Sequence, residues 1–335
     1  MTKLTPETLW SMEDKELLKV LDKGLLDHKS KEVRFYAPSF MYYKTSNFCS
    51  SPKDFPTISV TGKGCGLKCK HCGGLVLETM YPANSPETLF KLCSKLKREG
   101  AKGCLISGGC LPNGSVPLKS YAETIKRVKS ELGLIMFVHS GIINFTSASA
   151  LADAGVDAVL IDIVGSSETI REIYNLDVTV RSYESSLKAL DRASVAYVPH
   201  VVAGLHYGTL KGELNALRMI SRHKPSALVI IAFMAIRGTQ MADVEPPTPE
   251  NIVRVIAIAR SMFADIPLVL GCMRPKGTHR TETDILALKA GVDGIAFPSE
   301  RTVQYAVSNG YAVSFSPLCC SQIYVDIARH KESNN

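Results

Sequence analysis

Eight short apolar runs rich in β-branched residues recur along this chain, each followed by a segment of helical period. That alternation limits the folds open to the chain more than any other feature. The runs are TISVT (57–61), GCLIS (103–107), LIMFVH (134–139), AVLIDIV (158–164), AYVPHVV (196–202), ALVIIAF (227–233), PLVLGC (267–272) and GIAFP (294–298). Apolar strands without a polar residue at every second position belong to sheets covered on both faces, and strands separated by helices run parallel. The intervening segments carry their own start and stop signals. SPETLFKLCSKLKREG opens on Ser85 and Pro86 and stops at Gly100, and TPENIVRVIAIARSMF opens on Thr248 and Pro249. Eight such units over about 250 residues match a closed (β/α)8 barrel. A doubly wound open sheet would ordinarily use fewer units and would leave the eighth strand without a place. The expected fold class is α/β, a TIM barrel over residues 57–310, with a helical N-terminal extension over 1–56 and a C-terminal tail over 311–335.

The cysteines bear on chemistry. There are ten of them, and the opening segment MTKLTPETLWSMEDKELLKVLDKGLL mixes charges into its apolar positions, so it lacks the h-region of a signal peptide. No apolar run reaches the roughly 18 residues that a membrane span needs. The chain is therefore expected in the cytoplasm, with no membrane partner, where thiols stay reduced and serve metal or redox chemistry rather than disulfides. The net charge of +7 is modest, and its basic residues are interleaved with acidic ones. No basic run or aromatic stripe marks a nucleic-acid groove, and no nucleic-acid partner is expected.

Three of the thiols lie together in GKGCGLKCKHCGG (62–74), as Cys65, Cys69 and Cys72 with the spacing CxxxCxxC. The loop directly follows the first strand, which in a barrel places it at the C-terminal face, where active sites are built. Three thiolates do not close a tetrahedral zinc site, and the local candidate for a fourth ligand, His71, is trapped between two of them. Around a [4Fe-4S] cluster the same three leave one iron open to a small molecule. The glycines of the loop let backbone amides approach the cluster sulfurs.

On this motif the chain resembles the radical S-adenosylmethionine superfamily. The resemblance implies that Cys65, Cys69 and Cys72 hold the [4Fe-4S] cluster and that S-adenosyl-L-methionine chelates the open iron through its amine and carboxylate. It also implies that Ser107, Gly108 and Gly109, after the second strand, receive the cofactor amine; the following position, usually acidic, is Cys110 here. The segments SYESSLKALDRASVAYVPHVVAGLHYGTLKGE and RGTQMADVEPPTPENIVRVIAIARSMF are similar to the biotin synthase branch, in which Gly204 and the pair Gly238 and Thr239 would close the cofactor pocket. Within that branch FYAPSF, GCLISGG, VEPPTPE, LGCMRPKG and the late CCS most resemble one component of the two-component, archaeal-type lipoyl synthases.

That resemblance implies a sulfurtransferase that uses a 5′-deoxyadenosyl radical, and a second, auxiliary cluster consumed as the sulfur source. Cys272, at the end of the seventh strand, and Cys319 with Cys320, on a tail able to fold over the barrel mouth, are the candidate auxiliary ligands, with Ser321 as an oxygen donor. Each thiol would serve equally as a small buried hydrophobe. Cys104 and Cys110 stand in reserve. His139, at the end of the third strand, and Asp162, in the fourth, are candidates for cofactor or substrate contacts, and His200 or His206 for substrate. Arg274 is a candidate carboxylate or carbonyl anchor, while Phe233, Met234 and Phe297 offer apolar wall and Lys276 a rim donor. Lys63, Lys68 and Lys70 ring the cysteine loop, suited to an acidic donor. The expected partners are an octanoylated carrier protein or peptide, a second lipoyl synthase component and a ferredoxin-type electron donor. The alternatives are a biotin-synthase-like radical enzyme without sulfur insertion and a non-catalytic iron–sulfur scaffold.

Overall fold

The computed structural model describes residues 4–26, 31–39, 42–51 and 53–333. Its centre is a single sheet of eleven parallel strands. They are β1 (Glu32–Tyr36), β2 (Thr57–Ser59), β3 (Tyr81–Pro82), β4 (Gly103–Ser107), β5 (Ile135–His139), β6 (Ala158–Asp162), β7 (Tyr197–Ala203), β8 (Leu228–Ala232), β9 (Leu268–Leu270), β10 (Gly294–Ala296) and β11 (Ala312–Ser316). The order across the sheet is β11-β1-β10-β9-β8-β7-β6-β5-β4-β2-β3. All eight expected runs are strands, and they lie side by side in chain order from β2 to β10 with only β3 set aside at the edge. The sheet curls into a half-barrel wrapped by helices, the barrel-type α/β fold that the alternation implies. Among the described residues no ladder joins β3 to β11, so the seam is not closed by hydrogen bonds.

The segments flanking 57–310 contribute more than helices. The N-terminal one supplies the helices Pro6–Ser11 and Asp14–Asp22 and also β1, which inserts between β10 and β11 with Arg34 opposite both Gly294 and Ser314. These two strands occupy the place beyond β10 where closure onto β2 would otherwise occur. The helices outside the sheet start as their sequences indicate. Ser85 and Thr88 form a reciprocal capping box at the start of the helix Pro86–Arg98, and the Thr248 hydroxyl accepts from the Asn251 amide, 3.2 Å away, at the start of the helix Pro249–Met262. Among the described residues no helix is long and apolar enough to cross a membrane.

Alternation along the strands separates two cores. Residues such as Ile106, Met136, Val138, Val159, Ile161 and Ile230 face outward into the large core shared with the helices, whereas Phe137, Leu160, Val198, Val229, Val269 and Ala296 pack on one another inside the curl. The parity places Cys104 outward. Its thiol meets Met136 Sδ at 3.4 Å and neighbours Cys93 on the helix behind, so it is a packing residue and not a reserve ligand facing the interior. The same parity turns Ser107, His139, Asp162 and His200 inward at the C-terminal ends of their strands.

The C-terminal segment completes the interior. After β11 the chain turns back into a short 3-10 turn, Cys320–Gln322, and the helix Ile323–Ser333. Cys320 and Ile323 pack in the inner core with Phe137, Leu160 and Val198. Tyr324 donates to the carbonyl of Asp157 at 2.6 Å, and Tyr36 to the Asp326 carboxylate at 2.9 Å. The expected flap over the mouth is thus an insert on the concave side of the sheet. The physical reason is the apolar character of Cys320 and Ile323, which finds buried surface only there.

Candidate functional site

The cysteine loop leaves β2 and is stitched to its neighbours through the backbone. Gly66 N donates to the carbonyl of Cys110 at 2.7 Å, and Lys70 N to that of Ile173 at 2.8 Å. Thr61 Oγ1 accepts from Gly109 N at 2.7 Å and donates to the Gly64 carbonyl at 2.8 Å, tying the turn after β4 to the loop. Sequence reasoning passed over Thr61, since one threonine in a glycine-rich loop has no pattern to mark it. Gly109 is required by contact: a Cβ there would lie 1.9 Å from the Gly64 carbonyl oxygen and 2.6 Å from the Cys65 Cα. Ser107 donates to the carbonyl of His139 at 3.1 Å, so its hydroxyl braces the next strand.

The three thiols converge on this loop. The sulfurs of Cys69 and Cys72 and a ring nitrogen of His71 lie within 4.8 Å of one another. His71 is thus nearer to the two thiols than its place between them suggested, and its buried Nδ1 has no hydrogen-bond partner. The Cys69 thiol is pushed far up, first by its hydrogen bond to Cys72 and then by burial, with repulsion from Cys72, Cys110 and Cys65 adding. Cys72 is drawn down to about 4, chiefly by the hydrogen bond from Cys69, against the effect of burial and with help from His71. Three soft donors that repel one another as thiolates, on a loop that Gly109 lets pack directly against the turn after β4, fit a cationic iron–sulfur core bound through Cys65, Cys69 and Cys72. Cys110 lies beside them, its thiol pushed up to about 12 by burial and by the charges of Cys65 and Asp162.

Inward from the loop stand His139, Asp162 and His200. His139 Nε2 is 3.4 Å from Asp162 Oδ1, and the two imidazole rings are 5.9 Å apart. Burial disfavours charge on His139, but the Asp162 carboxylate outweighs it and holds the imidazole above its ordinary value; Asp162 itself is lowered, against its burial, by His139. His200 goes the other way, to about 4, because burial outweighs the attraction of Asp162. His139 is thus biased toward its protonated form, Asp162 toward its carboxylate and His200 toward its neutral form, the last fixed by Nδ1 against the Val198 carbonyl at 3.1 Å.

Beyond this trio lies the second cysteine group. Cys272, Cys319 and Cys320 act on one another electrostatically, and the charge of His139 reaches Cys319. Cys319 is lowered to about 7, first by the hydrogen bond from Cys320 and against burial, with the Ser321 backbone and hydroxyl adding. Cys272 is raised to about 11 by burial and by Cys319. The Ser321 hydroxyl is fully buried and otherwise makes no hydrogen bond. The structure thus gathers the expected thiols into two groups on either side of His139 and Asp162. Asp162 feels His71 and Cys110 on one side, and His139 feels Cys319 on the other.

Other expectations change. Arg274 is completely buried and occupied: Nε donates to Asp284 Oδ1 at 2.8 Å, Nη1 to the Gly271 carbonyl at 2.6 Å and Nη2 to that of Phe297 at 3.3 Å. It fixes the strand end that carries Cys272 and does not anchor a ligand. Arg274→Met is expected to leave Asp284 as an uncompensated buried charge and to cost about 3–5 kcal/mol, read from denaturant midpoints. Phe233 packs in the outer core, while Phe297 lines the inner one with its ring 5.8 Å from that of Tyr43. His206 turns away from the interior, with Nδ1 3.2 Å from Thr169 Oγ1 and Nε2 3.4 Å from Lys211. Gly204 directly follows β7, at φ +71 and with no room for a Cβ beside Pro247. Its amide donates to Glu213 Oε1 at 2.9 Å, and burial raises that carboxyl to about 7. Nothing in the sequence marks Glu213 as buried, because the glutamate opens a helix and reads as surface.

The model of the radical SAM superfamily matches residues 59–215. A biotin synthase of Prochlorococcus marinus (strain NATL2A) is 28% identical over 304 residues, covering 86% of this chain and 81% of that protein. Another, of Leptospira biflexa, is 26% identical over 211 residues, covering 63% and 59%. Among solved structures, the [FeFe]-hydrogenase maturase HydG superposes with a TM-score of 0.64 at 14% identity, over 93% of this chain and 72% of its own. Methylornithine synthase (PylB) does so with a TM-score of 0.61 at 14% identity, over 92% and 93%. These two likenesses are of fold.

Proposed function

For a chain that carries a radical SAM domain and has biotin synthases as homologues, hence an implied [4Fe-4S] cluster and S-adenosyl-L-methionine, we propose a role as a sulfur-inserting lipoyl synthase component. Its substrate is an octanoyl chain on a lysine of a carrier protein or peptide; a second radical SAM protein completes the product, and a ferredoxin-type carrier supplies electrons. The observation that carries this reading is the second cysteine group, Cys272, Cys319 and Cys320, inside the curl and across His139 and Asp162 from the first.

When bound, the cluster and its cofactor supply a carbon-centred radical able to take hydrogen from an unactivated C–H bond, which no side chain can do. Cys65, Cys69 and Cys72 would hold that cluster against the Gly109 turn. Cys272, Cys319 and Cys320, with the Ser321 hydroxyl, would hold the auxiliary cluster that is consumed as sulfur donor. Between them His139, the carboxylate of Asp162 and the neutral His200 would offer fixed donors and acceptors to the cofactor ribose or to the amide of the acyl-lysine. The partly exposed apolar residues against the inner core, Met273 and Leu318 with Cys272, suit an alkyl chain. In each insertion the substrate loses one hydrogen atom and gains one C–S bond.

The test is mass spectrometry of an octanoyl-lysyl peptide incubated with reconstituted protein, reductant and the second component. The lipoyl mass is expected from the pair, and at most a monothiolated product from this protein alone. Formation of 5′-deoxyadenosine with no sulfur on the peptide would leave a radical reaction without sulfur insertion.

A further inference from the structure

A second arginine stands where Arg274 was expected to act. Arg280, on the first turn of the helix Thr278–Lys289, reaches back over the strand end that carries Cys272. Nε meets the carbonyl of Pro275 at 3.4 Å and Nη2 that of Arg274 at 3.1 Å. A guanidinium has five N–H donors, and these two bonds leave most of them unused. Arg280 is only partly exposed, and among the described residues no carboxylate is within ion-pair distance of it. The groups acting on it are Arg274, Asp284, Cys272 and Tyr43. Asp284 is spent on Arg274, the Ser299 amide and the Thr302 hydroxyl. Burial and the like charge of Arg274 lower Arg280 to about 10, and among the described residues no carboxylate pairs with it. A half-buried cation costs free energy unless an anion meets it.

Resting on the proposed function, we infer that Arg280 is a specificity residue that pairs with a carboxylate of the carrier beside the octanoylated lysine, so that the enzyme selects an acidic peptide. The acyl chain would enter the inner lining past Cys272, and the peptide that bears it would lie at the rim where the free guanidinium donors are. A planar fork suits a carboxylate bidentately, which the exposed ammonium of Lys276 nearby does not.

The experiment compares two octanoyl-lysyl peptides, one with glutamates and one with glutamines flanking the lysine, by binding to the reconstituted protein and by sulfur incorporation. The native protein is expected to bind the acidic peptide about tenfold more tightly at low salt, with the difference shrinking as salt rises. Arg280→Gln should abolish the preference while leaving the iron content and the 5′-deoxyadenosine yield without peptide unchanged, and Arg280→Lys should restore part of it. Equal binding of both peptides by the native protein overturns the inference and leaves the sulfur-insertion reading standing. A preference that survives Arg280→Gln also overturns it, as does a loss of iron in that variant, which would make Arg280 a support for Cys272. Binding of neither peptide overturns the inference together with the proposed substrate.

Discussion

Replacing Cys65, Cys69 and Cys72 together with alanine is expected to abolish 5′-deoxyadenosine formation from S-adenosyl-L-methionine and to remove about four iron atoms per chain after anaerobic reconstitution. The size of the effect follows from the geometry. Cys69 and Cys72 are hydrogen-bonded to each other and lie within 4.8 Å of a ring nitrogen of His71, and the Gly109 turn packs directly on Cys65. Two neighbouring thiols lie off the loop: Cys104 faces outward from β4, and Cys110 follows the turn after β4. The fold should survive, because the loop is anchored by backbone bonds from Gly66 and Lys70 that the substitutions do not touch. A variant that still cleaves the cofactor under reducing conditions would show that another group holds the cluster.

The companion variant, Cys272, Cys319 and Cys320 to alanine, is expected to split the two activities. It should keep the first cluster and cofactor cleavage, lose the remaining iron, and transfer no sulfur to octanoyl-lysyl peptide. Cys320 is 4% exposed in the inner core, so its truncation also removes packing and should lower stability by about 1 kcal/mol, a loss that leaves most domains folded. Iron content equal to that of the native protein would sink the assignment and would also remove the observation on which the proposed function rests.

Much of this architecture could be read from the residues. The eight strands could be found because each is apolar on both faces, and the helix starts at Ser85 and Thr248 because their capping chemistry is local. β1 escaped because Arg34 interrupts EVRFY, and β11 because AVSFS is half exposed at the sheet edge. The direction of Cys104 was within reach. It lies three residues before Ser107, and residues three apart on a strand cannot share a face. Arg274 and Arg280 could not be told apart in the same way, since a sequence shows which donors exist and not which are already taken. Pairing Arg274 with Asp284 required a contact between a strand end and a helix, and burying Ser321 required the tail to insert inside the sheet instead of lying over it.

The place of β1 sets an order of assembly. It lies between β10 and β11, so residues near one end of the chain pair with residues near the other, and such pairings form slowly because a long loop must close before they gain anything. The strands from β2 to β8 can propagate neighbour by neighbour, and the first cysteine loop has its hydrogen-bonded anchors once β2, β4 and the helix Ser167–Tyr174 have met. Cys272 and the Cys319 and Cys320 pair meet only after the far edge of the sheet is in place. Completion of the inner core around Cys272, Cys319 and Cys320 therefore waits on pairings between the two ends of the chain, whereas the anchors of the Cys65 loop join segments much nearer in sequence.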